Sequence, residues 1–134
     1  AIGLANRSGS SIIRAGSFAA PAQRSDGKSV DPDSIPEGAR LRLDPQLDLG
    51  SLGLSPFARM LAEAAQRYGM IVQDGSQSTV VYAEDPSPSM REGQPNFYEA
   101  SFGSRLSRAV GELPWGDLEV LQMHLCQRGP CLPG

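Results

Sequence analysis

The stretch that decides the fold is "AEAAQRYGMIVQDGSQSTVVYAEDP", residues 62–86. A helical run ends at Gly69, an apolar segment "MIVQ" (70–73) begins at once, and "STVVYAE" (78–84) follows the turn-forming "DGSQ" (74–77). A glycine after a periodic run is the usual left-handed helix stop, and Asp-Gly between two apolar runs is a strong hairpin signal. The pattern predicts a helix followed by two antiparallel strands paired across residues 74–77.

Working outward, Ser55 and Pro56 open the helix as N-cap and first-turn proline. Phe57, Leu61, Ala64 and Tyr68, widened by Met60 and Ala65, form the expected core-facing stripe, and Glu63 with Arg67 an i, i+4 pair. Upstream, "ARLRLD" alternates with Leu41 and Leu43 on one face, which reads as a half-buried strand. "DGKSVDPDSIPEG" (26–38) reads as a loop, and the pieces around "SIIRAGSF" as short strands or extended edges. "DPSPSMREGQPN" (85–96) reads as a long loop, "SRLSRAVGEL" as a short helix with Leu106, Ala109 and Val110 on one face, and 118–123 as a closing strand after Trp115. The expected fold class is α+β: a mostly antiparallel sheet packed on one main helix at 55–68, with Pro/Gly-rich loops.

With 134 residues, 40% hydrophobic and 20% charged, the chain fits one domain, 1–134, with 124–134 as a terminal tail. A net charge of −3 and scattered basic residues, all but Lys28 being Arg, argue against nucleic acid as a partner. No apolar run approaches the ~20 residues of a membrane span, so membrane insertion is not expected. The chain begins at Ala1 without a signal peptide, which suggests trimming or a piece of a longer protein.

Three carboxylates, Asp26, Asp74 and Glu84, are the candidate catalytic set, since paired acids perform general acid/base work when a fold brings them together. Each also has a plain structural reading: Asp74 opens a turn, Glu84 ends a strand, and Asp26 ties a loop. Gln23 and Arg24 in "PAQRSDG" are candidate ligand-binding groups, an amide and a guanidinium fork that suit a polar ligand. Tyr98, with Phe97 and Trp115, is a candidate platform for sugar rings, although aromatic residues more often pack in cores. His124 is the sole histidine; "HLCQRGPC" lacks the fourth ligand of a structural zinc site, so no metal and no cofactor is expected. Cys126 and Cys131 flank Gly129-Pro130 and are either bridged or two free thiols. Phosphate-binding loops, dinucleotide fingerprints and nucleophile elbows are missing from the sequence.

"SFAAPAQRSDG", "IPEGARLRLDPQLDLGSLGLSPFARMLAEAAQRYGMIVQDGS", "VVYAEDP" and "LPWGDLEVL", in that order, resemble the C-terminal region of an uncharacterised family of exported bacterial, largely actinobacterial, proteins. The similarity runs over roughly residues 11–123. The resemblance implies an extracellular or cell-envelope setting and a preceding N-terminal region carrying a His just upstream of Ala1; it transfers no catalytic residue. Two functions follow as expectations: binding or processing of polysaccharide, or a non-catalytic structural or interaction domain completed by its own N-terminal region.

Overall fold

The computed structural model describes residues 1–103 and 106–133. Its centre is a five-stranded sheet with strand order β6-β1-β5-β4-β7. The strands are β1 (Ile2–Ala5), β4 (Arg40–Leu43), β5 (Met70–Ser76), β6 (Val80–Val81) and β7 (Leu118–Val120). Three of its pairings are antiparallel and one, β1 with β5, is parallel. A separate parallel pair joins β2 (Ile13–Phe18) to β3 (Ile35–Glu37). Helix α1 spans Pro56–Tyr68, and three short helices follow: α2 (Ser87–Arg91), α3 (Phe97–Phe102) and α4 (Leu106–Glu112). This is the expected α+β class, with a mostly antiparallel sheet. No described helix is long and apolar enough to cross a membrane.

The expected hairpin over 70–84 does not form. Strands β5 and β6 lie in one sheet, but β1 stands between them, parallel to β5 and antiparallel to β6. The physical reason lies in "IGLA": Ile2 and Leu4 are buried, and Gly3 has no side chain where Val80 and Tyr82 press against the strand. This short apolar segment pairs with both β5 and β6 and brings Ile2 and Leu4 into the core. Asp74 and Gly75 therefore sit inside a strand, not at a turn.

Helix α1 lies where expected, from the Ser55 cap to Gly69, but it is rotated from the expected stripe. Its buried residues are Ala58, Ala62 and Ala65; Ala64 is exposed, and Tyr68 is 61% exposed. Alanines on the contact face let the helix backbone approach β4 closely, so the bulkier Phe57 and Leu61 fall at its margin. The helix-surface ion pair joins Arg59 to Glu63 at 2.9 Å, while the Arg67 guanidinium lies 5.3 Å from the Tyr68 ring centre. The "ARLRLD" reading holds: Leu41 and Leu43 are buried and Arg40 faces out.

Two apolar clusters make the interior. Ile2, Leu4, Ile13, Ala39, Leu41 and Val72 form one; Leu43, Leu49, Ala62, Ala65 and Leu113 form the other, with Met70 and Leu118 touching both. Within the expected loop 26–38, residues 35–37 are the strand β3, and within the expected loop 85–96 residues 87–91 are helical. The expected strand over 118–123 ends at Val120. Part of the expected helix "SRLSRAVGEL" forms α4, with Ala109 buried; its residues 104 and 105 lie outside the described residues. Residues 124–133 are tied to the body: Phe18 and Cys126 exchange backbone hydrogen bonds at 2.9 and 2.8 Å, and Cys126 and Cys131 are disulfide-bonded.

Candidate functional site

The site starts at Gly38. Its backbone φ of +81° suits glycine, and a Cβ there would lie 1.6 Å from the carbonyl oxygen of Ala19. That close approach lets Gly38 N–H donate to Val72 O at 2.8 Å, Val72 N–H to Ala39 O at 2.8 Å, and Ala19 N–H to Glu37 O at 2.8 Å. The end of β3 is thus clamped between β2 and β5, and Glu37 is carried to the flank of Asp74.

Asp26 arrives from the loop after β2. Gly27 runs so close to β2 that a Cβ would sit 2.4 Å from Arg14 O. Ser25 Oγ donates to Arg14 O and accepts from Gly27 N–H, while Ala15 and Ser29 are joined by a backbone hydrogen bond. With the loop laced to β2, the Asp26 N–H donates to Glu37 Oε1 at 3.4 Å.

Asp26, Glu37 and Asp74 each offer a carboxylate oxygen, and these oxygens lie within 4.8 Å of one another. Asp26 and Asp74 are exposed; Glu37 is 7% exposed and lies beneath them. Burial, then a side-chain hydrogen bond to Asp26 that only the protonated acid can donate, then the charges of Asp26 and Asp74, raise the Glu37 carboxyl to about 7. Above the trio lies an open groove of about 400 Å³, whose polar lining is Asn6, Ser11, Asp26, Lys28 and Asp74. Three hard oxygen donors this close together are also the residues that could hold an oxygen-ligated cation such as calcium.

Of the residues singled out in the sequence, Asp26 and Asp74 are brought together. Glu84 does not join them: it is exposed beyond β6, where the neighbouring Asp85 accepts the Ser87 N–H at 2.9 Å, and its carboxyl is lowered by the Ser87 side chain and then by that backbone bond. Gln23 turns its carboxamide to Cys131, accepting from its N–H at 3.0 Å and donating to its carbonyl at 3.2 Å. Arg24 is exposed. Tyr98 packs its ring against Phe57 and Phe97, with centroids 6.3 and 4.3 Å away, on the side of α1 and α4. Glu37 was not found from the sequence. Its one legible signal is an acidic residue directly before a glycine at the end of an apolar "SIP" segment, which reads equally well as a turn.

No family model, no curated protein and no solved structure matches this chain.

Proposed function

We propose that the groove over Asp26 and Asp74 binds a polysaccharide and that the carboxylate trio performs acid–base cleavage of a glycosidic bond. The observation that carries this reading is the approach of Asp26 and Asp74 to within 4.8 Å above a buried Glu37 raised to about 7. Two carboxylates this close are nearer to the roughly 5–5.5 Å arrangement of retaining glycosidases than to the wider inverting one. In this reading the proton on Glu37 passes through Asp26 to the leaving oxygen while Asp74 bonds to the anomeric carbon as the glycosidic bond breaks; a water that gives its proton back through Asp26 to Glu37 then displaces Asp74 and frees the sugar. Asn6, Ser11 and Lys28 supply hydrogen bonds to sugar hydroxyls along the groove. The disulfide suits an extracellular or cell-envelope setting.

The test is reducing-end release from a panel of bacterial and plant polysaccharides by the wild-type protein, Asp26→Asn and Asp74→Asn. Release that each substitution lowers by at least about 100-fold supports the reading, in keeping with the size of acid–base contributions. Release unaffected by both, or none from any polymer, overturns it.

A second reading, a non-catalytic domain completed by another segment, draws on a different surface. Leu4, Ile12, Ile35, Leu118 and Val120 line an open apolar groove of about 320 Å³ on the sheet, and Val120 is 56% exposed. Strong binding of a hydrophobic dye that is suppressed by adding an upstream segment would favour it.

A further inference from the structure

The roomiest groove among those described lies away from the apolar sheet face, and its side chains differ in sign from the carboxylate trio. Its volume is about 580 Å³, and Arg40, Gln122 and His124 line it beside Leu121, Met123 and Leu132. The groove is built by backbone ties. Leu121 N–H donates to Arg40 O at 2.9 Å, and Cys126 N–H to Phe18 O at 2.8 Å, so residues 122–125 span from β4 to β2. The disulfide turns the chain back, and the Gln23 carboxamide fastens Cys131, setting Leu132 and Pro133 as a further wall.

The charge pattern gives the groove its ligand class. In a chain of net charge −3, no Asp or Glu is among the described residues that line this groove. Among the described residues, neither Arg40 nor His124 forms an ion pair. Arg40 spends Nη1 on the carbonyl of Tyr68 and keeps further donors in a planar fork suited to an oxyanion. An imidazole, a carboxamide and a guanidinium among the lining residues supply several donors for an acidic ligand. Leu121 and the exposed Leu132 give the apolar surface that the C–H face of a sugar ring needs. The groove also reaches Gly38, the residue after Glu37, so it adjoins the end of the strand that carries the buried member of the acidic trio.

We infer that the groove lined by Arg40, Gln122 and His124 binds the carboxylate of an acidic sugar, making uronate-containing polysaccharides the ligand class of this protein. The inference rests on the polysaccharide reading of the neighbouring carboxylate site for the polymer, but not for the acidic sugar itself. Affinity for the acidic group falls with ionic strength, as a charge-assisted contact does.

The experiment measures binding of polygalacturonate, neutral dextran and free glucuronate to the wild type, His124→Ala, Arg40→Gln and Arg40→Lys by calorimetry, with a thermal melt of each. The expected result is binding of polygalacturonate but not dextran, weakened about tenfold in His124→Ala and in Arg40→Gln, with part of the loss restored in Arg40→Lys. Should Arg40→Gln fail to fold, His124→Ala decides, because the His124 side chain makes no hydrogen bond among the described residues. Binding of glucuronate that depends on these residues, with no polymer bound, keeps the groove and removes the polysaccharide reading. Dextran bound as tightly as polygalacturonate, or equal uronate affinity in wild type and variants, overturns the groove.

Discussion

The backbone N–H of Asp26 donates to the buried side chain of Glu37 at 3.4 Å, so a loop aspartate and a strand glutamate are held as one unit beside Asp74. The pair places a titrating group in the interior, and the stability of the protein depends on it. Glu37 moves from 4.5 to about 7 on folding. Between those values the native state binds more protons than the unfolded one, so stability is lost as pH rises from about 4.5 through 7. The full loss is about 3 kcal/mol at most, from 1.36 kcal/mol per pH unit. Glu37→Gln removes this dependence. Urea unfolding at pH 5 and pH 8 should show the two midpoints drawing together in the variant; an unchanged gap would assign the dependence to other groups.

Asp26 and Asp74 both raise the Glu37 carboxyl, Asp26 through a hydrogen bond and charge, Asp74 through charge alone. Asp74→Asn should therefore shift the Glu37 titration downward, and Asp26→Asn should shift it further. Carbon-13 NMR of the Glu37 carboxyl follows both directly. A Glu37 titration that neither variant moves would mean that the three acids do not interact.

Gly38→Ala should destabilise the protein by about 2 kcal/mol or more, because a positive φ and a backbone clash fall at one residue. Thermal melting reads the loss. The same variant should bring the Glu37 carboxyl toward the ordinary carboxylate range, since the clamp that buries it is Gly38.

Removing the bridge by Cys126→Ser with Cys131→Ser should cost about 2 kcal/mol, the loop-closure entropy of so short a loop. Denaturation with and without a reductant checks it: the wild type loses that stability in reductant and the double variant does not respond.

Tyr98→Ala should lower stability by about 1–3 kcal/mol through lost packing on Phe57 and Phe97. Binding of a glycan over Asp26 and Asp74 should change less than twofold. A selective loss of glycan binding at full stability would return Tyr98 to the ligand.

Local chemistry alone was enough for much of this protein. Ser55-Pro56 and Gly69 bracket α1, Leu41 and Leu43 alternate into the interior, and Gly129-Pro130 lies between two cysteines that are bridged. Each of these features depends on neighbours a few residues apart, and such spacing is written directly in a sequence. Asp26 and Asp74 could be named because carboxylates in loops and turns are visible as residue types. Local spacing points to a hairpin over 70–84, but the segment that pairs with β5 in its place, Ile2–Ala5, lies some seventy positions away. The α1 stripe was misread because a row of alanines carries little hydrophobic weight until a sheet is found close against it. Glu37 belongs with these: the carboxyl of an ordinary acid at a strand end is raised by burial and by its acidic neighbours only because Gly38, Ala19 and Val72 hold the strand end beside Asp26 and Asp74. Short-range spacing is enough to define the helix, the alternating strand and which carboxylates are present. Tertiary structure decided which strands pair and which acids meet, because long-range pairing and desolvation depend on what else the chain brings to the same place.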